Sequence, residues 1–378
     1  KSDNVSDAMA SVILVLQAVK NERFDEALNV IENMSNTHDS KVVRPLLMAW
    51  VKAALGELDV DNLLANPLYI YDAVSVASYL DRKDESQEII QKALNQNGIV
   101  SYDLERIGDL LAQRDLNEKA LTFYKAARKQ QGKNISRLTT KITALKQTVS
   151  IDPDDFIVEP PATASQGLAR SLFDISMVLF RQGADEPARL YVSMAIALKP
   201  DFTDARFLLG HIMTHEGQLD EAFRQYTAIS KNEKGYLKAQ RQAANILEQA
   251  EHFDDAIVIL ENLEKSYGDV KSRIEIGNVY RGQEKYKAAL KSYNKAFKSI
   301  DDNDRDKWNL YYLRGMTHER LGQFDDAVAD LNKALALQPD NAYILNYLGY
   351  SLADRGRELD RALELIRKAA ALEPNDGH

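Results

Sequence analysis

The sequence predicts an all-α solenoid of about nine to ten helix pairs, and three observations lead there. Hydrophobic residues make up 45% and charged residues 28% of the 378 residues, with only 9 Pro and 17 Gly, so the chain can bury a continuous core. Small residues recur along most of it at a fixed spacing near 34, the mark of a stacked repeat rather than of two or three globular domains. Between those residues the apolar positions follow helical spacing, interrupted by short turns.

The first element is Ala8 to Val19 (AMASVILVLQAV). It is too short to cross a bilayer, and Asp3 and Asp7 precede it where a signal peptide carries positive charge. A buried repeat helix without direct membrane insertion is expected. Because the chain opens on Lys1 and not Met, an address signal can already have been removed. A chain without cysteine has no disulfide, thiolate metal site or Cys nucleophile; it suits the periplasm, with the cytoplasm as the alternative.

The most regular stretch is Trp308 to Asn341, WNLYYLRGMTHERLGQFDDAVADLNKALALQPDN. Counting Trp308 as position 1, small residues stand at positions 8 (Gly315), 20 (Ala327) and 27 (Ala334), with Gly322 at 15 and Pro339 at 32. Helices approach closely only where side chains are small, while Gly ends the first helix and Pro the second. Position 20 recurs as Ala27, Ser86, Ala120, Ala188, Ala222, Ala256, Ala289, Ala327 and Ala362, at differences of 59, 34, 68, 34, 34, 33, 38 and 35. Further matches are Gly108, Gly210, Gly277 and Gly349 at position 8, Gly183, Gly217 and Gly356 at 15, and Pro200 and Pro374 at 32.

This pattern resembles the tetratricopeptide repeat, and the resemblance covers roughly four fifths of the chain at the family's period of about 34. It implies a right-handed superhelix whose concave groove holds other proteins. The stretch LNYLGYSLADRG (Leu345 to Gly356) is similar to multi-repeat proteins of Gram-negative bacteria, which implies a role in assembling or maintaining the cell envelope. The sequence departs from the family at position 8 in Val15, Val74, Ser176 and Ala244, which leaves repeat boundaries open.

The spacing also predicts the domains: a first array over 1–134 with a degenerate helix pair at about 42–66, a connecting stretch over 135–168, and a second array over 169–378. The difference of 68 equals two periods, so one repeat between Ala120 and Ala188 has lost its signature. Ile135 to Val149 reads as one helix. Ile151 to Gly167, with three prolines and four acids around Phe156, Ile157 and Val158, reads as extended, either as a surface loop or as a ribbon along the chain's own groove. Pro374 ends the ninth repeat with four residues following and no polar capping helix. A terminal repeat needs such a cap, so the native chain is expected to continue or to meet another molecule there.

Groove geometry in the family places positions 2, 5, 9 and 12 or 13 of each first helix on the concave side. These include Arg170, Arg181, His211, His215, Lys238, Arg241, Asn245, Lys271, Asn278 and Arg281. The strip is basic and amide-rich, suited to carboxylates and extended backbone, although Glu248 and Glu275 stand close enough in sequence to neutralise it. A protein or peptide partner, carboxylate-rich by preference, is expected. Aromatics form a second candidate surface: Phe173, Phe180 and Phe207, then Tyr312, Tyr343 and Tyr350. Some co-chaperones of the family grip a peptide C-terminus with Lys and Asn at positions 5 and 9, but here only Arg241 and Asn245 approach that clamp; Glu275, Asn309 and Leu313 break it.

A net charge of -9 argues against general nucleic-acid binding, which needs a basic surface. His211 and His215 share a helix face without a third ligand at diagnostic spacing, and Gly132-Lys133-Asn134 lacks the remainder of a phosphate-binding loop. Nucleophile-elbow and dinucleotide glycine patterns are absent. The expectation is therefore a scaffold without catalytic residues, cofactor or metal. The alternative is a regulatory or targeting subunit of an enzyme whose catalytic part lies outside this chain.

Overall fold

The computed structural model describes residues 2–35, 37–95, 98–131, 136–151, 155–300 and 307–373. Pro374, Ile135, Asp152 to Asp154 and the side chain of Ser86 therefore lie outside the described residues. Among those described there are twenty-one α-helices and no strand.

In chain order the pairs are α1 (Ser2–Lys20) with α2 (Phe24–Glu32), α3 (His38–Ala54) with the single-turn α4 (Asp61–Leu64), α5 (Ile70–Tyr79) with α6 (Lys83–Asn95), and α7 (Ser101–Ala112) with α8 (Asn117–Gln131). Then comes α9 (Ser136–Lys146) alone. Two further pairs are α10 (Ala164–Arg181) with α11 (Asp185–Leu198) and α14 (Tyr236–Gln249) with α15 (Phe253–Tyr267); between them in sequence come α12 (Thr203–His215) and α13 (Leu219–Thr227). The last three are α16 (Val270–Gly282) with α17 (Tyr286–Phe297), α18 (Lys307–Arg320) with α19 (Phe324–Leu337), and α20 (Ala342–Asp354) with α21 (Leu359–Leu372).

One turn explains the period. After each first helix a residue adopts the left-handed conformation: Glu22, Gly56, Asp81, Asp115, Thr148, Gly183, Gly217, Glu251, Glu284, Gly322 and Gly356. The next N–H reaches back to a carbonyl near the helix end, as in Arg23 to Ala18 (2.9 Å), His252 to Leu247 (2.8 Å) and Arg357 to Leu352 (3.0 Å), which closes the last turn and reverses the chain. Most second helices then begin on acids that face the positive helix end, for example Asp254 and Asp255 in α15 and Asp325 and Asp326 in α19.

The small residues do the packing expected of them. The position-20 alanines from Ala27 to Ala362 are buried. At position 8 the backbone of a first helix meets a large side chain from its partner helix: a Cβ on Gly108 would fall 2.5 Å from the Tyr124 ring, and one on Gly277 2.3 Å from the Tyr293 ring. The degenerate pair expected at about 42–66 is α3 with the stunted α4. The lost repeat keeps its first helix, α9, and its left-handed turn at Thr148. The N-terminal apolar stretch lies in α1, where Val12, Val15, Leu16, Ala18 and Val19 are buried, and no described helix is long and apolar enough to cross a membrane.

The chain divides into two compact units, Lys1–Ile212 and Met213–His378. That division lies beyond the Pro-containing stretch, because α10 packs on α1, α3 and α5 and α11 packs on α1. The stretch itself is strapped to α7: the Ile157 N–H donates to Asp109 Oδ2 (2.8 Å), and Gln113 Nε2 donates to the Val158 carbonyl (2.9 Å). The element lying on α3 and α5 is thus α10, and not the ribbon.

Candidate functional site

The first helices of the second unit carry the residues that the repeat geometry assigns to a groove. In α14, Lys238 and Asn245 are exposed, and Asn245 Oδ1 accepts from Gln249 Nε2 at 2.7 Å. Arg241 is mostly covered, because its guanidinium pairs with Asp269 at 2.6 Å. Asp269 is also the N-cap of α16, accepting from Ser272 N (3.2 Å) and Ser272 Oγ (2.6 Å). Arg241 therefore staples two successive repeats, which corrects its reading as a groove cation.

In α16, Lys271 is exposed, while Asn278 and Arg281 are half-buried. Tyr293 Oη donates to Asn278 Oδ1 at 2.8 Å, and burial pushes the Tyr293 hydroxyl up to about 12. Arg281 lies close enough to act on both Tyr293 and Glu248. Burial, then the neighbouring Glu275 carboxylate, raises Glu248 above the usual carboxylate range against the pull of Arg281. The middle of the strip is accordingly balanced in charge, not basic.

In the first unit the strip residues fare similarly. Arg170 pairs with Asp174 at 3.3 Å and donates to Tyr102 Oη at 3.2 Å, so it too is an internal contact. Arg181 and His211 are exposed, His211 lying edge-on to Phe180 with ring centres 5.4 Å apart. His215, in the second unit, is exposed. Among the described residues no group of three His, Cys, Asp or Glu side chains is placed to hold a metal.

The aromatics divide. Phe173 is buried against Phe202, ring centres 5.0 Å apart, as a core residue would be. Tyr343 and Tyr350 in α20 are 61% and 53% exposed, a high fraction for large rings at positions 2 and 9. Beside them Tyr347 and Ser351 both donate to Glu319 of α18, Ser351 at 2.7 Å, and Tyr347 lies edge-on to Tyr312 at 5.8 Å. Glu319, Tyr347, Tyr350 and Ser351, with Arg320, Asn346 and Asp354, border a cleft of about 710 Å3 between α18 and α20. The sequence pointed to the tyrosines; Glu319, Ser351 and Tyr347 were missed, and their pairing across 28 and 32 residues leaves no local signal.

Two tetratricopeptide repeat family models match, one at residues 269–340 and one at 312–377. Residues 269–377 thus carry tetratricopeptide repeats. Its relatives include the TPR repeat-containing protein PA4667 of Pseudomonas aeruginosa, 28% identical over 46% of this chain and 29% of the relative. Another is the anaphase-promoting complex subunit CDC16 of Saccharomyces cerevisiae, 27% identical over 50% of this chain and 23% of the relative. The chain thus spans less than a third of the length of either. Similar solved structures include a tetratricopeptide repeat protein from Parabacteroides merdae (15% identity, 74% of this chain and 95% of that one, TM-score 0.45) and pilF of P. aeruginosa (16%, 55% and 92%, TM-score 0.42).

Proposed function

We propose that this protein is a non-enzymatic scaffold that holds extended segments of partner proteins along the first-helix face of its second unit, with α18 and α20 as the anchoring end. Tetratricopeptide repeat proteins bind protein partners; the observation that carries the finer reading is the exposure of Tyr343 and Tyr350 beside a cleft bordered by Arg320 and Asn346. Exposed tyrosines supply contact area at low entropic cost, and an amide can bond a peptide main chain in both directions. Lys238, Lys271 and Arg320 favour a partner segment that carries carboxylates. The reading includes a periplasmic site of action in cell-envelope assembly or maintenance, supported by the absence of cysteine.

A photo-crosslinking amino acid placed at Tyr343 or Tyr350 in cells is expected to trap the same partner polypeptide. The same group at Val258, an exposed position of the second helix α15, is expected to trap none. Equal capture at all three positions would remove the groove as the binding face.

A further inference from the structure

The seam between α10 and the first helices of its unit is polar where a repeat seam is ordinarily apolar. Trp50 of α3 donates its indole N–H to Ser171 Oγ of α10 at 2.9 Å, and Ser171 donates in turn to Asp72 of α5. Asp72 is buried. Arg106 of α7, also buried, pairs with Asp103 at 2.9 Å and with Asp174 of α10, and its guanidinium lies 3.4 Å from the centre of the Tyr71 ring. Arg170 completes the group through Asp174. The backbone comes close as well, since a Cβ on Gly167 would stand 2.2 Å from the Trp50 ring.

Charge counting within this seam leaves one carboxyl over. Arg106 and Arg170 supply two cations, and Asp103 and Asp174 consume them. Asp72 then faces Asp174, Asp103 and Arg106, with Tyr69 beside it. No charged side chain of α3 is among the groups acting most strongly on it, and the described charged side chains of α4 and α6 (Asp61, Glu85, Glu88 and Lys92) are exposed. A third buried negative charge with no cation of its own is unfavourable, whereas the neutral acid keeps the bond from Ser171.

We propose that the docking of α10 on α3, α5 and α7 is a proton-dependent latch, tight while the Asp72 carboxyl is neutral and loosened when it ionises. Burial, then the Asp174 carboxylate, pushes this carboxyl up to about 7. An undocked Asp72 would ionise near its ordinary value of about 3.9. Since the docked value is the higher one, the latch is strongest below that ordinary value, weakens by about tenfold per pH unit from there to about 7, and changes no further above it. The non-helical stretch 156–163 before α10 is held to α7 through Ile157 and Val158. The latch acts within the first unit and does not depend on the groove of the second.

Hydrogen exchange of the full-length chain at pH 5, 6, 7 and 8, corrected for the intrinsic pH dependence of exchange, tests this. Protection of the α10 amides and of the Trp50 indole N–H should fall about 50-fold from pH 5 to 7 and level off by pH 8. Asp72→Asn, which retains an acceptor for Ser171, should flatten that profile. Wild-type protection independent of pH, or a D72N profile with the wild-type slope, overturns the proposal. Should D72N fail to fold, a carbon-13 titration of the wild-type Asp72 carboxyl decides: a midpoint near 7 supports the latch, and one below pH 5 overturns it.

Discussion

Gly277→Ala tests whether position 8 is a packing requirement. In an open helix interior this change is favourable by about 0.8–1 kcal/mol, because alanine loses less backbone entropy than glycine. At Gly277 the added Cβ would lie 2.3, 2.7 and 2.9 Å from Cε1, Cδ1 and Cζ of Tyr293. That ring is wholly buried, and its hydroxyl is bonded to Asn278 at 2.8 Å, so it cannot swing aside without breaking the bond. Overpacking of this kind costs about 1–3 kcal/mol; set against the propensity gain, a net loss of roughly 1 kcal/mol, and up to about 2, is expected. Gly282 in the same helix is the control, since a Cβ there meets only Glu248 Oε1, at 3.5 Å, and G282A should be neutral or stabilising. Repeat arrays need not unfold in one step, so the assay is the opening free energy of α16 and α17 amides by hydrogen exchange. Adding Tyr293→Leu to G277A should recover part of the loss, giving a favourable coupling term. G277A protein as well protected as wild type would refute the packing argument.

Three further substitutions have defined signs. Glu251→Gly and Glu284→Gly relieve left-handed residues at φ 61° and 59°, and each should raise the local opening free energy by up to about 1 kcal/mol, the cost of the αL conformation to a residue with a Cβ. Lys141→Met leaves the carboxylates of Glu105 and Asp109, 2.8 and 2.7 Å from its Nζ, without their buried cation; a loss of about 3–5 kcal/mol in urea denaturation of the first unit is expected.

These residues also show what a sequence can and cannot disclose. Glycine at position 15 marked four turns, yet the same left-handed turn occurs at Glu22, Asp81, Asp115, Glu251 and Glu284. The closing backbone bond holds each residue there whatever its side chain, so composition hides the regularity that spacing reveals. The lost repeat was legible only as a gap. Its position 8 is Lys141, and Pro153 stands at position 20 where a second helix would continue; the lysine is fully buried and bonds Glu105 and Asp109. The fold was therefore readable from small residues at fixed spacing, whereas the polar seam of α10 was not. Trp50 and Ser171 are 121 residues apart, and no local pattern joins them.

Within the basic strip, Arg241 is engaged internally for a related reason. A cation on a first helix is available to a partner only if the adjoining repeat does not place a carboxylate beside it. Asp269 had a local task, capping α16, that already fixed its carboxylate at the repeat junction; Arg241 pairs with it because the cap stands one repeat further along. Aromatic residues are judged by a different criterion. A tyrosine on the core side is covered by the neighbouring helix, as Tyr293 is, while Tyr343 and Tyr350 keep most of their surface although they share α20 with the fully buried Leu348. Burial opposes such exposure at about 25 cal/mol per Å2 of apolar surface. The α20 rings therefore represent contact area that the fold has left unused, and the difference in exposure between Tyr293 and Tyr350 locates the candidate surface more firmly than charge does.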